Sequence, residues 1–201
     1  KACIRKYGGK PLRSEYCHEL AVRLLAGSLA TAAARQDMGV NMLLGYSINH
    51  YARVYATVHY GAGNADETMA KMGYITHCFK CLNRQEHKGL FNQPSNCTCD
   101  DCGSKMDFAG PLWLGKIVDQ SFCKSLIAGL ERRSYMREKQ TAELLELMHE
   151  EAEMPSTYFV VDKICRKLCS PVPSVKKVVD ALKQGGFRAT RTCFHTRGVK
   201  T

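Results

Sequence analysis

Two pairs of cysteines with the spacing Cys-x-x-Cys, Cys78 with Cys81 and Cys99 with Cys102, could perform metal chemistry in this chain. A Cys-x-x-Cys turn directs both sulfurs toward one point, and two such turns supply the four soft ligands of a tetrahedral structural zinc site. Gly103 follows the second pair and fits a tight turn beneath the metal, because glycine adopts positive φ easily. We therefore predict a structural zinc ion bound by these four cysteines.

Three nearby side chains are alternative ligands. Cys97 is the nearest rival to Cys99, but it leaves four residues before Cys102, so the spacing favours Cys99. His77 and His87 flank the first pair, and we interpret both as ordinary strand or loop residues because four cysteines already fill the shell. Four thiolates also bind iron, so the identity of the metal stays open.

The eleven cysteines do not predict a disulfide framework, because their number is odd and the chain is long for a disulfide-stapled domain. The sequence has no signal peptide pattern, no apolar run of about eighteen residues and a negative mean hydropathy. We therefore expect a soluble protein of a reducing compartment, the cytoplasm, without membrane association.

Positive charge is concentrated at the two ends of the chain, whose formal net charge is +10. Residues 1–13 carry five basic side chains and no acidic one, and residues 161–201 carry ten basic side chains against two acidic ones. A concentrated basic surface attracts polyanions, so nucleic acid is the leading partner. The alternatives are a solvated lysine face and a protein-binding surface.

The elements that position these residues begin with a long helix predicted over 14–36, with Ser14 as its N-cap. The apolar segment 40–48 and the alternating segment 51–60 predict a β-hairpin. One helix and one hairpin cannot cover each other's apolar surfaces, which indicates the end of a larger sheet. Residues 61–66 then predict a linker.

A short strand predicted over 73–77 leads into the first cysteine pair. After residue 121 the patterns predict successive helical segments over 122–130, 137–153, 160–168 and an amphipathic stretch that opens at Ser174. A strand over 187–194 follows, and helices followed by a strand are typical of a winged helix. The Ser174 helix would then meet a phosphate backbone through its lysines and its N-terminus. A helical bundle with an exposed lysine face is the alternative.

Several ordered blocks of the chain resemble one known family. They are Tyr7-Gly-Gly-Lys-Pro-Leu-Arg-Ser-Glu, Leu44-Gly-Tyr-Ser-Ile-Asn-His-Tyr-Ala-Arg, the two cysteine pairs, Gly110-Pro-Leu-Trp-Leu-Gly, Gly186-Phe-Arg-Ala-Thr-Arg-Thr-Cys-Phe and Gly198-Val-Lys-Thr. Over essentially its whole length the chain is similar to the C-terminal part of archaeal-type tRNA (guanine(26)-N2)-dimethyltransferases. The resemblance implies a parent enzyme that uses S-adenosylmethionine to methylate N2 of guanosine 26 in tRNA.

The cofactor and catalytic motifs of that family do not occur in these residues. The sequence contains no Asp-Pro pair, and Gly61-Ala-Gly63 lacks the third glycine of a nucleotide-binding loop. The resemblance therefore implies no catalytic and no cofactor-binding residue here, with S-adenosylmethionine bound upstream and this fragment inactive alone. Glu15 and His18 are interpreted as residues at a helix start, stabilised by the helix dipole.

Together these patterns predict an α+β fold with an α/β remnant at its start. Residues 1–62 are predicted to be the last helix and β-hairpin of a class I methyltransferase sheet, 63–118 a four-cysteine zinc-ribbon-like insert, and 119–201 a helical, winged-helix-like tRNA-binding domain. We expect a monomer. Nine basic side chains are predicted to bind tRNA phosphates: Lys163, Arg166, Lys167, Lys176, Lys177, Lys183, Arg188, Arg191 and Arg197.

The alternative function is a non-enzymatic zinc-ribbon and winged-helix module that binds nucleic acid, as transcription factors do. That reading explains the metal ligands and the charge. It does not explain the helix and hairpin at the start of the chain or the family blocks.

Overall fold

A computed structural model of the chain describes residues 2–48, 51–131 and 138–201. The chain divides into two compact units, a first unit of Lys1–Ile117 and a second unit of Val118–Thr201. Within the described ranges, no helix is long and apolar enough to cross a membrane. The division into three parts stays a prediction.

The first unit opens with helices α1 (Ala2–Tyr7) and α2 (Cys17–Ala34). Strands β1 (Met38–Ile48) and β2 (Tyr51–Tyr60) then pair antiparallel, which confirms the predicted hairpin. α2 packs on β1, and the backbone of Gly45 lies close to the side chain of a buried valine of this helix. Apolar burial therefore joins the long helix to the hairpin.

The predicted helix start at residue 14, with Ser14 as the N-cap, is wrong. α2 begins at Cys17, its N-cap is Tyr16, and no side chain caps it. The Cys17 amide donates to the Ser14 carbonyl at 3.3 Å, and Ser14, Glu15 and Tyr16 are all buried. These residues form a turn that is held by tertiary contacts, so the capping signal of Ser14 is overridden.

The predicted linker at 61–66 is also wrong, because helix α3 (Ala62–Met69) begins there. The Val40 amide donates to the Thr68 hydroxyl at 2.9 Å, and the Gly61 amide donates to the Asp37 carbonyl at 2.7 Å. These bonds fasten α3 to the start of β1.

A three-stranded antiparallel sheet completes the first unit, with β3 (Met72–His77) between β4 (Arg84–Lys88) and β5 (Asp107–Trp113). All six residues of β3 are buried. The strand predicted over 73–77 is confirmed. Because Cys78 follows β3 directly, the sheet fixes the position of the first cysteine pair.

The second unit contains four helices and three strands among its described residues, in the order α4 (Gln120–Glu131), α5 (Glu138–Glu151), β6 (Phe159–Val160), α6 (Val161–Lys167), α7 (Val175–Gln184), β7 (Thr190–Thr192) and β8 (His195–Lys200). The strands form an antiparallel sheet in the order β6-β8-β7. The predicted helical segments are confirmed except at their ends: Val160 lies in β6, α5 ends at Glu151, and residue 137 lies outside the described residues.

The strand predicted over 187–194 is wrong in its extent. β7 covers only Thr190–Thr192, and β8 was not predicted. The backbone turns between them at Cys193 and Phe194, so one expected strand is replaced by a short hairpin.

The core of the second unit confirms the amphipathic pattern of α7. Val175 and Val179 are buried, and Val178 and Leu182 pack against the same cluster. The helix opens at Ser174 as predicted, and the Lys177 amide donates to the Ser174 Oγ at 3.3 Å, so Ser174 is its N-cap.

Candidate metal centre and basic surface

The four predicted cysteine ligands converge on one point in the first unit. The sulfurs of Cys78, Cys81, Cys99 and Cys102 all lie within 4.8 Å of one another. The Sγ–Sγ distance is 3.5 Å from Cys78 to Cys102 and 3.3 Å from Cys81 to Cys99. A tetrahedral zinc with Zn–S bonds of about 2.3 Å places its sulfurs roughly 3.8 Å apart. The donor set and its spacing therefore fit a zinc ion.

Two turns of nearly the same shape carry these sulfurs. In the first turn the Cys78 amide donates to the Asn83 carbonyl and the Leu82 amide donates to the Cys78 carbonyl, both at 2.8 Å. The second turn repeats both bonds at 2.8 Å, from Cys99 to Ser104 and from Gly103 to Cys99. Each turn thus aims its own pair of sulfurs into the cluster.

Each turn is closed by a residue with a left-handed backbone conformation. The φ angle is +67° at Gly103, as the glycine predicted, and +68° at Leu82. A side chain is strained in this region, so Leu82 is held by the surrounding turn. Sequence reasoning missed Leu82, although the parallel hexapeptides that begin at Cys78 and Cys99 carry the signal.

The protein environment separates the acidities of the thiols. Hydrogen bonds from the Ser104 side chain and backbone lower the pKa of Cys102 to about 6. A backbone hydrogen bond at Asn83 acts to lower the pKa of Cys81, but burial and hydrogen bonds to the neighbouring thiols raise it to about 12. A divalent cation favours the thiolate of every ligand, so it replaces the thiol protons.

The three alternative ligands lie outside this cluster. The Cys97 thiol points to the Ser95 carbonyl at 3.8 Å. His77 is buried at the end of β3 with its ring edge-on to Phe79, at a centroid distance of 4.6 Å. The His87 ring lies 3.0 Å from the hydroxyl of a β3 threonine. The geometry therefore favours Cys99 over Cys97, as the spacing does.

A buried ion pair joins the first metal turn to the segment before α2. The Arg84 guanidinium lies 2.8 Å from Glu15 Oε1, and the two side chains are 8% and 2% exposed. Glu15 Oε2 lies 3.8 Å from the imidazole of His77, which immediately precedes the first ligand. The predicted position of Glu15 at the start of the helix is wrong. Glu15 lies before α2, and its carboxylate contacts Arg84 and His77 on either side of the first metal turn.

A second buried ion pair lies within α2, and its arginine also bonds to β5. Arg23 donates two hydrogen bonds to Glu19, at 2.8 and 3.1 Å, and two more to the carbonyls of Trp113 and Gly115. Glu19, the acidic residue in the first turn of α2, is thus paired with Arg23. His18 is exposed in the same turn of the helix.

The predicted nucleic-acid ligands lie in the second unit. Eight of the nine basic side chains are exposed, on α6, on α7, in the segment that leads into β7 and on β7 itself: Lys163, Arg166, Lys167, Lys176, Lys177, Lys183, Arg188 and Arg191. On α7 the valines face the core, so its lysines face solvent. These positions suit a polyanionic ligand.

Arg197 differs from the other eight, because its guanidinium is engaged within the unit. It donates to Asp162 at 2.7 Å and to the Pro173 carbonyl at 3.0 Å. The hydrogen bond from Arg197 lowers the pKa of Asp162. Arg197 therefore ties β8 to α6 and to the segment before α7.

Lys200, which contributes to the C-terminal positive charge, is buried. Its ammonium lies 3.4 Å from Glu151, and both side chains are almost fully enclosed. A charge count from the sequence cannot distinguish this structural lysine from the exposed ones.

The sequence and fold match a known family over the whole chain. A family model for N2,N2-dimethylguanosine tRNA methyltransferase matches residues 1–201. The chain belongs to this family. The predicted resemblance is confirmed.

Three similar proteins illustrate the match to the family. The tRNA (guanine(26)-N(2))-dimethyltransferase of Methanobrevibacter smithii is 39% identical over 199 residues, which cover 99% of this chain and 51% of that protein. The tRNA (guanine(26)-N(2)/guanine(27)-N(2))-dimethyltransferase of Aquifex aeolicus is 32% identical over 203 residues, covering 100% and 50%. The solved complex of Trm1 from Pyrococcus horikoshii with S-adenosyl-L-methionine has a TM-score of 0.86 and 33% identity, covering 99% of this chain and 50% of that one. The chain thus spans about half the length of these relatives.

Proposed function

We propose that this chain is the tRNA-binding and zinc-bearing C-terminal portion of an S-adenosylmethionine-dependent tRNA guanine-26 N2-dimethyltransferase. The family match over residues 1–201 carries the proposal, because it spans only about half of each relative. We assign the cofactor-binding and catalytic residues to the half that the chain does not span. This chain then binds and orients tRNA, which lowers the entropic part of the barrier.

The hairpin of the first unit is the end of the methyltransferase sheet in this proposal. Among the described strands β2 pairs with β1 alone, so its other edge is available for a further strand. Tyr51, Tyr55 and Tyr60 of β2 are large and exposed. An unpaired edge with exposed aromatic residues is what a strand presents when the rest of its sheet is missing.

The second unit acts as a winged-helix-like module in the same proposal. Helix α5, strand β6, helices α6 and α7 and the hairpin β7–β8 follow one another, and β8 pairs with both β6 and β7. We assign α7 to the phosphate backbone, because its capped N-terminus carries Lys176 and Lys177 in the first turn.

The four-cysteine cluster has a structural role in this proposal. Zinc would bind Cys78, Cys81, Cys99 and Cys102, offset half of the negative charge of the four thiolates, and hold the end of β3 to the segment that enters β5. All four positions are protein ligands, and a catalytic zinc keeps one position open.

Competition between nucleic acids tests the proposal against the alternative of a transcription-type module. We expect tRNA to displace a labelled tRNA transcript at much lower concentration than duplex DNA of equal length, because the family acts on folded RNA. Incubation of the chain with S-adenosylmethionine and tRNA should yield no methylated guanosine. Equal competition by duplex DNA would support the alternative, and methyl transfer by this chain alone would place catalytic residues within it.

A further inference from the structure

One aromatic side chain is exposed within the basic segment of the second unit. Phe187 is 63% exposed and directly follows the two glycines that end α7. A single exposed apolar side chain is common in soluble proteins. The inference therefore depends on how this ring is held and on which charges accompany it.

The backbone that carries Phe187 is fixed by a helix-ending motif. The φ angle of Gly186 is +82°, the Gly186 amide donates to the Lys183 carbonyl, and the Phe187 amide donates to the Leu182 carbonyl, both at 3.0 Å. These two bonds form a Schellman motif, in which the residue after the glycine usually packs back on the helix. Here Leu182 packs on the core while most of the Phe187 ring stays in solvent.

The charged side chains next to Phe187 in the chain are cationic. Lys183 lies in the last turn of α7, Arg188 follows the ring directly, and Arg191 is the exposed residue of β7. All three side chains are exposed. The Arg188 guanidinium donates to the Glu153 carbonyl at 3.1 Å, which restrains its position.

We propose that Phe187 is a stacking platform for an unpaired nucleobase of the RNA substrate, with Lys183 and Arg188 binding the flanking phosphates. Every base presents a π face, so an exposed ring binds any unpaired base without hydrogen-bond readout. A duplex stem hides its base faces except at its ends. The platform therefore takes a single-stranded loop or bulge. This inference rests on the proposed function and adds a contact that the basic residues alone do not supply.

Two substitutions separate stacking from a packing role. Phe187→Leu keeps an apolar side chain after the helix-ending glycine and removes the π face, whereas Phe187→Tyr keeps both. Affinities of the zinc-loaded 201-residue chain are measured by fluorescence anisotropy for a tRNA transcript, a single-stranded oligoribonucleotide and a blunt RNA duplex. We expect Phe187→Leu to weaken binding of the tRNA and the oligoribonucleotide by about 5- to 150-fold and to leave duplex binding and the melting temperature unchanged. Phe187→Tyr should stay within about twofold of the parent chain, because tyrosine stacks equally well.

The salt dependence supplies a second readout. Stacking releases no counterions, so Phe187→Leu should leave the slope of log K against log salt unchanged. Unchanged tRNA affinity in Phe187→Leu, equal losses in the Leu and Tyr variants, or an equal loss on the duplex would each overturn the platform while leaving the proposed function standing. An absence of tRNA binding by the parent chain would overturn the proposed function itself.

Discussion

The arginines around α2 in the first unit and the lysines of α7 in the second unit are placed in opposite ways. In the first unit Arg23 and Arg84 are buried, and each is paired with a carboxylate, Glu19 and Glu15 respectively. In the second unit the lysines of α7 stand in solvent. A buried charge must be paired because its desolvation is costly, whereas exposed charges of one sign create a field that attracts a polyanion. The Arg84–Glu15 pair thus supports the first metal turn, whereas the exposed lysines of α7 are the residues that would bind RNA in the proposed function.

Removal of one metal ligand should have the largest effect, because it disrupts the metal turns of the first unit. In Cys102→Ser we expect bound zinc to fall from about one per chain to none, because a neutral hydroxyl replaces one of the four soft thiolate ligands. Structural zinc contributes about 10–16 kcal/mol of apparent binding free energy in small sites, so the thermal stability should fall as well. Metal analysis and thermal unfolding measure the two losses.

The matched control for that substitution is Cys97→Ser, which removes a thiol outside the cluster. We expect this variant to retain its zinc. Equal zinc content in the Cys102→Ser and parent chains, or equal loss in the two variants, would contradict a site built from Cys78, Cys81, Cys99 and Cys102.

The buried ion pair next to the metal turn should show the next largest effect. Arg84→Met leaves the Glu15 carboxylate buried without its guanidinium partner, and breaking such a pair costs about 3–5 kcal/mol of unfolding free energy. Denaturant unfolding measures this cost. Lys80→Met, which removes an exposed cation from the same turn, should stay within about 0.5 kcal/mol of the parent chain. Similar costs for both variants would remove the distinction between paired buried charge and exposed charge.

Charge reversal on α7 should affect binding and leave folding intact. Lys176→Glu combined with Lys177→Glu should weaken tRNA binding and reduce the magnitude of the salt slope by about 2, since two phosphate contacts are lost. Lys139→Glu, at an exposed position of α5, is the control. If the control weakens tRNA binding as much as the double variant does, the lysines of α7 are not a specific binding surface.

The smallest expected effect concerns the shape of the two metal turns. Gly103→Ala adds a Cβ that meets no atom within 4 Å, so its cost is that of the left-handed backbone, about 1–2 kcal/mol. Leu82→Gly should stabilise the chain by up to a similar amount of about 1 kcal/mol, because φ there is +68°. Unfolding midpoints of the zinc-loaded variants measure both changes. A gain from Gly103→Ala would show that the two turns are not equivalent.

The parts that the sequence predicts well depend on local spacing. The two residues between the cysteines of each pair determine where the sulfurs point. The alternation of apolar and polar residues over 51–60 determines which face of β2 packs on the helix. The apolar repeat of α7 is equally local. For these elements the nearest neighbours in the chain determine the structure.

The parts that it predicts poorly depend on distant contacts. Ser14 carries a capping signal but is enclosed in a turn beside Glu15, whose partner Arg84 is 69 positions away. No periodic pattern of apolar and polar residues predicts an ion pair between residues so far apart in the chain. The start of α3 carries the turn residues Gly63 and Asn64, yet contacts with β1 make it helical. Tertiary packing overrides local propensity at these places.

The salt dependence of tRNA affinity in the zinc-loaded 201-residue chain tests the central claim most directly. Eight of the nine predicted phosphate ligands are exposed in the second unit, which is enough for several phosphate contacts. We predict that log K falls linearly with log salt with a slope between about −3 and −7, as expected for several lysine and arginine contacts to phosphate. A slope near zero, or no tRNA binding at low salt, would contradict a surface built to hold RNA.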